Sequence, residues 1–193
     1  MTPAPIVART TSPGDTRRLA AALAGELTAG DLLLLVGDLG TGKTTFTQGL
    51  ARGLGVTDPV TSPTFTLVRA YPCAAGSVST LLHADLYRLD RLSDVVDLGL
   101  AEMVEDDAVA VVEWGDVAAS VFGPDVLTVR LAAPPTGDAR PADGPVGERP
   151  DEDRIVTIHA AGTWSARRAA VAARLAPWTS AGHGRRRSPP ESR

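Results

Sequence analysis

The chain has 193 residues, 44% of them hydrophobic and 22% charged, with a net charge of −4. That composition excludes full-length disorder and gives no overall attraction to nucleic acid or membrane. A single domain is expected, long enough to bury roughly 70% of its unfolded surface, and no run approaches the ~20 apolar residues of a membrane span.

Ile6 to Thr10 reads as a short strand. Ser12-Pro13-Gly14-Asp15 then reads as a helix start, with Ser12 as cap, Pro13 in the first turn and Asp15 facing the positive end of the helix dipole. Leu19, Leu23 and Leu27 recur every fourth residue, so the helix is expected to run to about Leu27. Leu32 to Val36 is a continuous apolar run followed by a glycine loop, the pattern of a strand buried on both faces of a parallel sheet. Thr44 to Leu54 reads as the next helix, stopped at Gly53 and Gly55. Val60 to Val68, with Ser62-Pro63-Thr64-Phe65-Thr66 inside it, reads as a loop running into a strand. Ser79 to Ala84 is an apolar strand ending at Asp85, Leu92 to Val104 a helix, and Ala108 to Val112 a strand ending at Glu113-Trp114. Val126 to Leu131 and Ile155 to His159 alternate as a late antiparallel pair, and Thr163 to Leu175 is a final helix.

Two segments stand apart. Pro134 to Asp153 holds five prolines, three glycines and six acids, and is expected to be a flexible loop. Residues 179–193 hold four arginines and read as a disordered tail beyond a domain of residues 1–178. The single cysteine, Cys73, excludes an internal disulfide, and Met1 to Asp15 lacks the apolar core of a secretory signal, so a cytoplasmic protein is expected.

Gly37-Asp38-Leu39-Gly40-Thr41-Gly42-Lys43-Thr44 matches G-x-x-x-x-G-K-[ST] in full, between an apolar strand and a helix. Glycines let successive backbone amides turn inward around phosphate oxygens, and the positive end of the following helix adds to that field. Lys43 can reach the β- and γ-phosphates, and Thr44 offers a hydroxyl to Mg²⁺. Lys43 is also the only lysine, against 18 arginines, and it falls where this loop requires one.

A magnesium–nucleotide site needs carboxylates at the C-terminal ends of neighbouring strands. Asp85 and Glu113 both qualify; one should hold Mg²⁺ and the other orient the attacking water, and spacing alone does not assign them. His83 shares a strand face with Asp85, where it either orients that acid, donates to phosphate or is a satisfied core histidine. Arg88 reads as a phosphate contact or as an ion-pair partner of Asp90 or Asp94. Thr64 and Thr66 lie in a loop suited to sensing a γ-phosphate, and Trp114 reads as a packing residue at the rim. The chain contains no asparagine, so it has no Asn-Lys-x-Asp guanine motif, and it lacks the LSGGQ transporter signature. No arginine finger is visible in cis. ATP is therefore expected, with slow hydrolysis until a partner completes the site.

Four segments in order, Gly-Asp-Leu-Gly-Thr-Gly-Lys-Thr-Thr-Phe (37–46), Ser-Pro-Thr-Phe-Thr-Leu-Val (62–68), His-Ala-Asp-Leu-Tyr-Arg-Leu (83–89) and Val-Glu-Trp (112–114), resemble the TsaE family, also called YjeE. The resemblance implies a three-layer α/β P-loop domain whose mostly parallel central sheet carries late antiparallel strands. It implies an ATPase that supports turnover of the TsaD–TsaB transferase complex in tRNA threonylcarbamoyladenosine synthesis, with tRNA met indirectly and no membrane role. By motif, Asp38, Leu39, Gly40, Thr41, Gly42, Lys43, Thr44 and Thr45 bind the nucleotide, Thr44 and Glu113 bind Mg²⁺, and Asp85, Glu113 and Lys43 serve hydrolysis. The adenine is placed near Thr11 and Ser12. A small-molecule kinase and a nucleotide-dependent assembly module are the alternatives.

Overall fold

A computed structural model describes residues 3–63, 66–89, 91–104, 107–116, 119–135 and 152–179. Most of the acidic Pro/Gly loop, the tail from residue 180 on, and Thr64 lie outside the described residues.

The strands are β1 (Ile6–Thr10), β2 (Leu32–Val36), β3 (Val68–Pro72), β4 (Thr80–Asp85), β5 (Ala108–Glu113), β6 (Leu127–Ala132) and β7 (Arg154–Ala160). The helices are α1 (Pro13–Ala24), α2 (Lys43–Gly53), α3 (Leu92–Asp97), α4 (Leu100–Met103) and α5 (Trp164–Arg174). One seven-stranded sheet runs in the order β1-β7-β6-β2-β5-β4-β3. Its centre, β6-β2-β5-β4, is parallel. Its flanks, β1-β7-β6 on one side and β3-β4 on the other, are antiparallel.

Strand β2 is apolar along its whole length and β5 up to its terminal Glu113, because both of their faces are covered. Leu33, Leu35, Val109 and Val111 join α1, α2 and α5 in one core. Leu32, Leu34, Ala110 and Val112 face the other way, onto Val95, Leu100 and Val104 of the α3–α4 region. The chain therefore forms the expected three layers.

The helix that begins at the glycine loop is held close to its neighbour. A Cβ added at Gly49 would lie 2.4 Å from the Arg17 carbonyl oxygen and 2.7 Å from Ala20 Cβ, and one at Gly53 would lie 2.6 Å from Ala24 Cβ. Glycines four apart on α2 thus face alanines four apart on α1, and the two backbones approach as side chains would not allow.

The structure corrects three boundaries. The first helix ends at Ala24, and Leu27 is buried from the loop beyond it. The helix expected over Leu92 to Val104 is two short pieces, divided at Gly99, whose φ of 62° lies in the left-handed region and interrupts the hydrogen-bond ladder. The strand after the Ser-Pro segment begins at Val68. Pro63 offers no N–H to a ladder, and Leu67 at φ 61° turns the chain immediately before the strand.

Candidate active site

The strand β2 ends at Val36, and the glycine loop carries the chain into α2. Gly37 has φ 150°, and a Cβ there would lie 2.2 Å from the Leu131 carbonyl oxygen on β6, so only glycine fits. Gly42, at φ 99°, is the N-cap of α2 and gives it no side-chain hydrogen bond. Helix α1 differs, since Ser12 Oγ accepts from the Asp15 amide at 3.1 Å. The first amides of α2 therefore end at the loop with no capping side chain, suited to an anion.

Lys43 is buried, and its Nζ donates to the carbonyls of Gly37 (2.7 Å) and Asp38 (2.9 Å). The same ammonium sits 3.8 Å from the centroid of the Trp114 ring. Burial lowers its pKa below the usual 10.5, and the Glu113 and Asp85 carboxylates oppose that shift. Trp114 adopts φ 60°, a left-handed conformation that costs a non-glycine residue about 1–2 kcal/mol and is found where surrounding structure enforces it. Its ring also meets that of Tyr87, with centroids 4.9 Å apart. Trp114 is thus the floor beneath the lysine, beyond the rim-packing role read from sequence.

The parallel register of β4 and β5 places Asp85 opposite Glu113. The two acids have different partners. Thr44 Oγ1 donates to Glu113 Oε2 at 3.0 Å, and His83 Nε2 lies 2.8 Å from Glu113 Oε1. Asp85 accepts from Ser62 Oγ and, at 3.1 Å, from the Tyr87 amide. His83 therefore contacts Glu113 and not Asp85: the two residues share a face of β4, but the free edge of the histidine ring reaches across to β5.

These groups surround one cleft of about 420 Å³, lined by Leu39, Gly40, Gly42, Lys43, Thr44, Thr45, Ser62, Asp85, Tyr87, Glu113 and Trp114. Thr44 and Glu113 present a hydroxyl and a carboxylate side by side, hard oxygen donors of the kind Mg²⁺ takes. A smaller pocket of about 110 Å³ lies on the other side of the loop, between Pro13, Thr16, Gly40 to Gly42, Thr45, Glu152 and Arg154. Thr11 and Ser12 stand beside it without lining it; the Thr11 amide donates to Asp15 Oδ2 at 3.1 Å. Asp38 is exposed and contributes its backbone carbonyl to Lys43 and to Thr41. Thr66 and Arg88 are exposed and line neither pocket.

A sequence model described as threonylcarbamoyl adenosine biosynthesis protein TsaE matches residues 10–140. The chain belongs to the TsaE family. The family's protein from Streptomyces coelicolor, named tRNA threonylcarbamoyladenosine biosynthesis protein TsaE, is 43% identical over 143 residues, covering 74% of this chain and 88% of its own length. The protein of the same name from Treponema pallidum is 42% identical, covering 62% of this chain and 86% of its own. The crystal structure of YdiB from Bacillus subtilis superposes with a TM-score of 0.68 and 29% identity, covering 90% of this chain and 97% of that one.

Two contacts of this TsaE-family chain bring in residues to which the sequence gives no role of their own. Arg154, at the start of β7, donates from Nε to the Thr41 carbonyl (2.9 Å) and from Nη2 to the Gly40 carbonyl (3.2 Å), so the last strand supports the glycine loop. Ser62 supports Asp85. The quoted Ser-Pro-Thr segment pointed to the region of Ser62; nothing local pointed to Arg154.

Proposed function

We propose that this protein binds and hydrolyses ATP with Mg²⁺ and that hydrolysis supports turnover of a TsaD–TsaB type transferase in tRNA threonylcarbamoyladenosine synthesis. Residues 1–178 form the ATPase unit in this reading, which acts in the cytoplasm. One observation carries it: the only lysine of the chain is buried under the glycine loop, and the neighbouring Thr44 hydroxyl is hydrogen-bonded to a strand-end carboxylate.

The first amides of α2 and the Lys43 ammonium bind the β- and γ-phosphates. On binding, the ammonium exchanges at least part of its bonding to the Gly37 and Asp38 carbonyls for phosphate oxygens. Thr44 and Glu113 would hold the cation, and Mg²⁺ when bound neutralises charge on the phosphates. Asp85, held by Ser62 Oγ and the Tyr87 amide, keeps one orientation at the cleft, where it orients the attacking water and accepts its proton. Trp114 covers one side of the Lys43 ammonium, and Tyr87 packs against the Trp114 ring at the cleft. The adenine lies near Thr11 and Ser12, beside the small pocket bounded by Pro13, Thr16 and Arg154. Hydrolysis by the isolated chain is slow, because no arginine among the described residues lines the main cleft.

The deciding experiment measures phosphate release and tRNA modification with the transferase subunits, comparing wild type with Lys43→Ala. Wild type is expected to stimulate repeated turnover and Lys43→Ala to fail. Full support of turnover by Lys43→Ala would overturn the reading. Stoichiometric phosphorylation of a metabolite without any partner would favour a kinase instead.

A further inference from the structure

We infer that His83 is the positioning residue for the metal-side carboxylate: it pins Glu113 so that Oε2 is the oxygen turned to Thr44 and the cleft. The inference rests on the magnesium–nucleotide reading above and adds to it a residue that never touches substrate or cation.

The argument starts with burial. The His83 side chain is fully buried and that of Glu113 is 4% exposed, so water is not available to satisfy either group. The register pairs His83 with Val111 and Asp85 with Glu113, which puts His83 diagonal to Glu113 on the face that packs toward α2. Nε2 finds Glu113 Oε1 at 2.8 Å, while Nδ1 is buried with no hydrogen-bond partner among the described residues.

That asymmetry assigns the proton. A carboxylate only accepts, so the hydrogen shared with Oε1 sits on Nε2; a second proton on Nδ1 would have no acceptor among the described residues, so Nδ1 keeps its lone pair. The reverse arrangement, a protonated Glu113 donating to Nε2, would place an N–H on Nδ1 with no acceptor. Buried orphan donors are rarer than buried under-used acceptors. Oε1 is then committed to His83, and Oε2, which accepts from Thr44 Oγ1 at 3.0 Å, is the oxygen left to face the metal position. A ligand oriented by a hydrogen bond behind it binds without first losing rotamer freedom. Asp85 is held by separate groups, Ser62 and the Tyr87 amide, so perturbing His83 should spare it.

The test compares wild type, His83→Leu and His83→Gln by calorimetry with ADP, in EDTA and across a Mg²⁺ titration. Leucine keeps the volume and removes the donor; the glutamine amide restores an N–H at similar reach. His83→Leu is expected to raise the Mg²⁺ concentration needed for half-saturation of the ADP-bound protein on the order of tenfold. ADP affinity in EDTA should stay within about twofold, and His83→Gln should recover most of the loss. Nitrogen-resolved NMR of the His83 ring should show Nε2 protonated and Nδ1 bare in the wild type, a readout that holds even if His83→Leu fails to fold. An unchanged Mg²⁺ requirement in His83→Leu would overturn the inference. So would equal losses with and without Mg²⁺, no recovery in His83→Gln, or a proton on Nδ1. If wild type binds no ADP under either condition, the nucleotide reading itself falls; if wild type shows the Mg²⁺ dependence and His83→Leu retains it, only the role of His83 does.

Discussion

Replacing Gly49 by alanine sets two effects of known sign against each other. Alanine is the better helix former, by about 1 kcal/mol in a helix interior. Against that, the added methyl carbon would stand 2.4 Å from the Arg17 carbonyl oxygen, 2.8 Å from Arg17 Cα and 2.7 Å from Ala20 Cβ. Two of those atoms are backbone and the third is fixed to it, so no side chain can rotate away. Relief requires moving α1 from α2, and against atoms that cannot yield the cost lies in the upper part of the overpacking range, about 2–3 kcal/mol. Packing should win, with a net loss of about 1–2 kcal/mol and a fall in Tm of roughly 2–8 °C for a chain of this size. The control is Gly14→Ala near the start of α1, where the nearest atoms to the new methyl are Ser12 Oγ at 3.8 Å and Arg18 Nη1 at 3.9 Å. There the same substitution should stabilise by about 0.5 kcal/mol through the unfolded state. Thermal unfolding followed by circular dichroism reads both. If Gly49→Ala melts at or above the wild-type temperature, the close approach of the two helices is wrong, and with it the account of how the loop helix is held.

Three further outcomes follow from the geometry. Burial lowers the Lys43 pKa and a bound triphosphate favours its charged form, so nucleotide affinity should fall as pH rises through that lowered value, below the 10.5 of an ordinary lysine; calorimetry in buffers of different ionisation enthalpy should detect proton uptake on binding in that window. Asp31 is buried and accepts from Thr28 N at 2.7 Å and Arg167 Nη1 at 2.8 Å, so Asp31→Ala should cost about 2–4 kcal/mol in urea unfolding; an unchanged midpoint would show that this junction of α5 with the α1–β2 loop contributes nothing. Arg154→Ala removes both bonds to the loop carbonyls and should weaken ADP binding about three- to thirtyfold with little change in Tm, whereas unaltered binding would mean the loop holds its shape without β7.

Where sequence reading went astray, short-range signals competed with a single residue. The apolar side of Leu92 to Val104 has helical spacing, and Val95 and Leu100 do face a common core, yet Gly99 takes a left-handed turn between them. The period survives such a turn in outline, so it does not reveal the break. The Ser-Pro segment reads as a loop running into a strand, but it does not reveal where the strand starts: it begins at Val68, after the positive φ of Leu67, whose carbonyl accepts from the Asp85 amide at 3.0 Å.

The sequence by itself determined what acts over one turn or one pleat. It specified the cap at Ser12, the apolar runs of β2 and β5, the glycine loop with its lysine, and acids at two strand ends. Each is a property of adjacent residues under a 3.6- or 2-residue period. The tertiary structure alone decided which acid meets Thr44, which one His83 supports, and that Arg154, 113 positions beyond Thr41, reaches back to the loop. Those choices depend on strand order and on a register in which a shift of one residue would reverse every side chain, and no local pattern carries that information.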